Sequence, residues 1–351
     1  MKRNFYLKTL SFFSLFCFFL LLFGELSSGK EVKNKKLFAY VGGVNELVKI
    51  DLNSHKIAKN LRFPGGGHIV FGLSINPDGS EIYSTGDLFA VPMIVINSKT
   101  LEIKREISER GFEDAKIGGT FGSYGCRGKL SPDGRRYAMD LGGGFAPFVL
   151  MDTLSFKIID HPKEFRSNPI YHVVFSDDNK VIYLLTRIQF MEEKIVYKNK
   201  IIILDAETGK ILREVSMPPD LAKVTCGTNI SSYIGEESNI YFVCNRSFND
   251  YGAWGLFKGD VIYPFVSTRD SKKIELIELR TRKRITEIPM PDGYGSVNQI
   301  TLTPDGKKVL IGRGGYRHPG ELTIVDVKSK KVIARIMLEG GATSNVVFGC
   351  E

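Results

Sequence analysis

Leu73-Ser-Ile-Asn-Pro77-Asp78-Gly79-Ser-Glu-Ile-Tyr83 carries an apolar strand through Pro-Asp-Gly into a second strand. Proline presets φ for a tight turn, while Asp and Gly tolerate the positions that follow, so the stretch is a β-hairpin. The phrase recurs as Leu130-Ser-Pro132-Asp133-Gly134-Arg-Arg-Tyr137 and as Ile300-Thr-Leu-Thr-Pro304-Asp305-Gly306-Lys-Lys-Val309. Worn copies run over Val174–Tyr183 and Tyr233–Tyr241. Hairpins repeated at this spacing form a radial array of small sheets, an all-β propeller.

A second phrase sets the period. Each hairpin is followed by an apolar strand ending in Asp51, Asn97, Asp152, Asp205, Glu278 or Asp326, then by a polar turn and an alternating strand. The separations are 46, 55, 53, 73 and 48 residues. Four short strands with tight turns need roughly 40–45 residues, so most units carry insertions. The largest falls around Phe248–Asp270.

The two ends complement each other. Leu37–Phe63 supplies three strands and lacks the one that precedes its hairpin, and Thr343-Ser-Asn-Val-Val-Phe348 is a strand of that kind. The expectation is a single propeller of four-stranded blades whose C-terminal strand closes the ring and removes the free edges. Six repeats are countable, or seven if the 205–278 interval holds a further blade.

Tyr40-Val-Gly-Gly, the Ser131-Pro-Asp-Gly turns and Leu204-Asp-Ala-Glu-Thr-Gly-Lys resemble the YVTN-type periplasmic propellers. That superfamily includes the heavy chain of methylamine dehydrogenase and the propeller of haem-d nitrite reductase. The resemblance implies the fold; its motifs are turns and strands. As a whole the chain is also similar to the haem-free β subunits of hydrazine synthase from anammox bacteria. That likeness implies multi-haem partner subunits and an anammoxosome location.

Lys2, Arg3 and Lys8, the apolar run Leu10–Phe23 and the small residues Ser27-Ser-Gly29 read as a signal peptide over 1–29. The run is too short for a membrane core, which needs about 20 residues. The mature chain, 30–351, is expected to be exported, to have no membrane span and to form one domain. The formal net charge is +9. Excess cations gather at Lys30–Lys36 and at Lys272, Lys273, Arg280, Arg282, Lys283 and Arg284. They read as a solvated strand face or as attraction for an acidic partner or anionic polymer. No aromatic-interleaved basic groove of the nucleic-acid kind occurs.

Cys126, Cys226, Cys244 and Cys350 remain after cleavage, an even number in an oxidising compartment. Cys226 and Cys244 each lie nine residues from Gly235 and are the candidate disulfide across one hairpin. Cys126 and Cys350 are paired or free.

The motifs for covalent haem attachment, Cys-x-x-Cys redox chemistry, metalloproteases, nucleophile elbows and phosphate loops are all missing. No covalently bound cofactor, catalytic set or metal site is expected. His68 and His172 enter equivalent inner strands, so with Tyr124 and Arg127 they are candidates for a channel site for an anion or a non-covalent cofactor. The ordinary alternative is an imidazole bonded to a neighbouring loop. Glycines at Gly42-Gly43, Gly86, Gly142–Gly144 and Gly314-Gly315 read as turns of positive φ, or as a surface where a partner approaches.

Two insertions stand apart. Gln189–Asn199 lengthens a hairpin, and Ser247–Phe265 holds Phe248, Tyr251, Trp254, Phe257, Tyr263 and Phe265. Clustered aromatics on a loop are candidate partner anchors or pack on their own blade. The combined reading is an exported, non-catalytic propeller that docks haem-bearing protein subunits of a redox complex. The alternatives are a propeller enzyme or cofactor binder using the channel histidines, and a secreted binding module.

Overall fold

Each Pro-Asp-Gly phrase folds as a hairpin for a local reason. In two of them and in one worn copy the serine or threonine before the turn donates to the turn aspartate: Ser131 to Asp133 at 2.7 Å, Thr303 to Asp305 at 2.6 Å and Ser176 to Asp178 at 2.6 Å. In the first phrase Asn76 Oδ1 accepts the Glu81 amide at 2.8 Å. Gly79, Gly134 and Gly306 then adopt φ of 75, 74 and 67°, and Asn179 takes the same left-handed place in a worn copy at 60°. Glycine enters that region without a Cβ penalty, and asparagine tolerates it.

A computed structural model describes these elements. It covers 36–351 apart from 65–67, 88–92, 108–127, 141–147, 161–169, 177, 192–194, 217–225, 235–239, 247–251, 255–256, 259–260, 263–264, 268–272, 279–282, 290–295, 316–317 and 342–344. The expected signal peptide lies outside the described residues.

The first sheet contains β1 (Leu37–Gly42), β2 (Glu46–Asp51) and β3 (Lys56–Arg62). The second is β4 (Ile69–Ile75), β5 (Glu81–Asp87), β6 (Met93–Asn97) and β7 (Ile103–Ile107). The third is β8 (Gly128–Leu130), β9 (Arg136–Asp140), β10 (Phe148–Asp152) and β11 (Ile158–Asp160). The fourth is β12 (Ile170–Phe175), β13 (Val181–Met191), β14 (Ile195–Asp205) and β15 (Ile211–Ser216). Here β13 pairs with β14 without interruption from Val181↔Asp205 to Met191↔Ile195, so the Gln189–Asn199 insertion extends the hairpin itself.

The long interval departs from the expected four strands. It holds β16 (Cys226–Ile234), β17 (Ile240–Arg246), β18 (Gly252–Trp254), β19 (Phe257–Lys258), β20 (Val261–Ile262), β21 (Phe265–Ser267), β22 (Lys273–Glu278) and β23 (Lys283–Pro289). Six of them form one sheet in the order β16-β17-β18-β21-β22-β23, while β19 and β20 make a separate two-stranded ribbon. The insertion is therefore woven into its sheet by backbone pairing.

The last four-stranded sheet is β24 (Ser296–Leu302), β25 (Lys308–Gly315), β26 (His318–Asp326) and β27 (Lys331–Leu338). The remaining strand, β28 (Asn345–Cys350), pairs antiparallel with β1 from Leu37↔Cys350 to Gly42↔Asn345. The first sheet thus has the order β28-β1-β2-β3, its fourth strand supplied from the far end of the sequence.

Sheets pack face to face through apolar layers. Tyr83, Met93 and Val95 of the second meet Tyr137, Met139 and Val149 of the third. Phe148 and Leu150 of the third meet Val173, Ile182 and Leu204 of the fourth. The first sheet packs on both sides, against Leu310, Leu322 and Ile324 of the last sheet and against Leu73, Ile82 and Ile94 of the second. Strands buried on both faces read as continuous apolar runs, as in Phe148-Val-Leu-Met.

Candidate functional site

His68 immediately precedes β4 and is 3 % exposed. Its ring lies 4.3 Å from that of Phe63, and Nε2 is 3.0 Å from Ser84 Oγ. Nδ1 has no hydrogen-bond partner among the described residues. The His68 carbonyl accepts from the Asn45 amide at 2.7 Å, tying the entry of the second sheet to the β1–β2 turn. Burial pushes the imidazole down to about 4, so at neutral pH it is uncharged. Gly86 gives it room: a Cβ there would sit 2.9 Å from His68 Cε1 and 2.2 Å from the Ile69 carbonyl oxygen. The described geometry shows close approach at Gly86 and at Gly42, where a Cβ would meet Val70 at 2.4 Å. Gly142–Gly144 lies outside the described residues, and in the other three expected turn clusters only Gly314, at 138°, has positive φ.

The inner strands adjoin in chain order, β28 against β4, β4 against β8, β8 against β12 and β12 against β16. His172 sits on β12 with Leu185 as its cross-strand partner, two sheets along from His68. Tyr124 and Arg127 lie outside the described residues. Among the described residues no group of three or more His, Cys, Asp or Glu side chains is placed to hold a metal ion.

The aromatic candidates are distributed by strand pairing. Trp254 ends β18 and has Phe265 of β21 as its cross-strand partner, while Phe257 opposes Ile262 in the β19–β20 ribbon. Phe248, Tyr251 and Tyr263 lie outside the described residues. Cys226 and Cys244 stand on neighbouring strands but not opposite each other: their cross-strand partners are Arg246 and Ile230, an offset of two residues along β17 and four along β16, with a register shift between. Cys350 is a free, exposed thiol; Cys126 is outside the described residues.

Three buried charge centres escaped the sequence reading. Lys49 reaches Glu351 at 2.5 Å, with its ammonium 4.4 Å from the Phe38 ring and 5.6 Å from that of Tyr40. Burial, reinforced by Glu351, pushes the Tyr40 phenol up to about 12. Glu46 is buried and accepts the Gly340 amide at 2.6 Å and Asn60 Nδ2 at 3.1 Å, clamping the first sheet to the end of β27. Glu321 is fully buried and takes Arg335 at 2.6 Å and Thr323 at 2.6 Å, with Arg313 at 4.0 Å. Burial alone would raise its carboxyl, but the Arg335 and Thr323 hydrogen bonds and the two guanidinium charges hold it below the usual range. The one legible signal was an isolated charge in an apolar strand, as in Glu321-Leu-Thr-Ile.

No protein-family model matches the chain, and no curated protein matches it. Solved structures do. A dihydro-heme d1 dehydrogenase, NirN, in complex with DHE shares 12% identity over 89% of this chain and 75% of its own, at a TM-score of 0.57. A functionally unknown protein from Desulfotomaculum acetoxidans DSM 771 shares 13% identity over 89% and 98%, also at 0.57. Kuenenia stuttgartiensis hydrazine synthase shares 16% identity over 86% and 81%, at 0.44, a level that carries no argument. No helix among the described residues is long and apolar enough to cross a membrane. At these identities the likeness establishes fold alone, and the fold is a β-propeller.

Proposed function

We propose that the protein is an exported β-propeller subunit, a rigid docking scaffold within a larger redox assembly whose haem is carried by partner subunits. The observation behind this reading is the insertion of β18 and β21 into the six-stranded sheet. Backbone pairing on both sides holds Gly252–Trp254 and Phe265–Ser267 at fixed register, and anchors presented on a rigid frame lose little entropy on binding. The β19–β20 ribbon, with Phe257, is the part outside that sheet and is assigned the partner contact, with Trp254 at its foot. The NirN likeness supports a redox setting for this architecture. In the same reading β28 closes a ring of six blades, residues 1–29 direct export, and any chemistry belongs to the partners.

Purification of the mature chain from its native source tests the assignment. Stable co-elution with a subunit showing haem absorption is expected, and Phe257→Ser should weaken that association by roughly 30-fold, the effect of losing about 2 kcal/mol at an interface anchor. A chain that elutes alone, or that turns over a substrate by itself, overturns the scaffold reading.

A further inference from the structure

The outer strands of the propeller are not electrically alike. On the first sheet and its two neighbours, β3 carries Lys56, Lys59 and Arg62, β7 carries Lys104 and Arg105, and β27 carries Lys331 and Arg335; Glu106 is the single carboxylate. All seven cations are exposed. On the third and fourth sheets, β11 and β15 set Arg213 against Asp160 and Glu214. Some of the cations are already engaged: Arg62 pairs with Glu339, Lys104 with Glu81 and Arg335 with Glu321, and Arg105 lies over the Phe156 ring. Lys56, Lys59 and Lys331 have no ion-pair partner among the described residues, and Lys328 and Lys330 extend the same charge into the β26–β27 turn.

Lysine on a sheet edge commonly guards against strand-to-strand aggregation. That account would apply equally to β11 and β15, which are also outermost strands yet expose Ile159 and Leu212 without any cation excess. The asymmetry needs another cause. Packing places β27, β3 and β7 on consecutive sheets, because the first sheet buries one face against the last and the other against the second. Their outer strands therefore follow one another on adjoining sheets. A flexible chain can bend along all three and neutralise the lysines together. Unpaired lysines are compact, strongly hydrated point charges and demand no fixed acceptor geometry, unlike the fork of arginine.

We propose that the β27–β3–β7 rim is a binding surface for an extended polyanion, held by counterion release along three adjacent sheets. The assignment is independent of the docking role of the aromatic insertion.

Heparin serves as the probe, with affinity measured by titration of the mature chain at low and at near-physiological salt. Binding should weaken steeply with salt, as neutralisation of several anionic groups requires. The triple variant Lys56→Gln, Lys59→Gln, Lys331→Gln should lose about tenfold in affinity at low salt and show a shallower salt slope. The control Lys210→Gln, Arg213→Gln on the fourth sheet should stay within about twofold. All five side chains are exposed, so both variants should melt with the parent protein. Equal losses in the two variants, or salt-independent binding, would overturn the proposal. So would tighter binding to phosphatidylserine vesicles than to heparin, which would assign the rim to a membrane.

Discussion

Lys49 Nζ lies 2.5 Å from the Glu351 carboxylate, joining the second strand of the first sheet to the residue just beyond β28. The lysine side chain is 5% exposed and the glutamate side chain 31%. An ammonium taken out of water costs several kcal/mol unless a counter-charge and hydrogen bonds offset it, and here the carboxylate and two aromatic faces do so.

Glu351→Gln should therefore destabilise the protein by about 2 kcal/mol, less than for a fully buried pair because Glu351 is partly solvated. Adding Lys49→Met should recover most of that loss, since the uncompensated charge goes with it. Urea unfolding of both variants checks the idea. If Glu351→Gln shifts the midpoint no further than Lys104→Gln, which breaks an exposed pair with Glu81, the contact contributes nothing special.

His68 predicts a specific pH window. Its folded pKa of about 4 lies below the ordinary 6.5, so the unfolded chain takes up the proton first. Its contribution is complete above pH 6.5 and is lost as pH falls from there toward 4, amounting to about 3 kcal/mol over the window. His68→Gln should flatten that part of the stability profile relative to the parent. An unchanged slope between pH 6.5 and 4 would show that the imidazole is not buried neutral.

Five turns share one geometry. Asp51, Asn97, Asp152, Asp205 and Asp326 each accept nearby backbone amides, and the residue four places on, His55, Leu101, Phe156, Gly209 or Lys330, has positive φ. Only one of these is glycine. At exposed Lys330 the left-handed backbone is unfavourable for a residue with a Cβ, so Lys330→Gly should stabilise the protein by about 0.5–1 kcal/mol. Gly209→Ala should do the reverse, because its Cβ would also press within 2.7 Å of Asp160 Cβ on the third sheet. Thermal melts of the two variants should move in opposite directions; parallel shifts would contradict the assignment of strain.

Cys226 and Cys244 are expected to be bonded when the protein is held under oxidising conditions. The intact protein should be two hydrogens lighter than its reduced form, with Cys226 and Cys244 recovered in one disulfide-linked peptide. Their joint replacement by serine should cost about 3 kcal/mol, for a loop of roughly 18 residues. Alkylation of both thiols in the native protein would refute the bond.

The sequence by itself determined the repeat, the hairpins and the strand that complements β1. Each rests on local chemistry: Pro-Asp-Gly sets its own turn, Asp152 bonds amides two and three residues ahead, and Val149-Leu-Met declares a strand buried on both faces. The basic residues were equally legible, but reading along the chain picked out Lys272–Arg284 and passed over Lys56, Lys59 and Lys331. Lys331 lies far from Lys56 and Lys59 in sequence, and their strands come onto adjoining sheets only because the last sheet packs on the first. Tertiary structure also decided that the long insertion enters its sheet, that His68 is sealed against Phe63 and Ser84, and that Lys49 meets Glu351 302 positions away. No periodicity announces such contacts, because the partner of a buried charge is chosen by which strands the fold lays side by side.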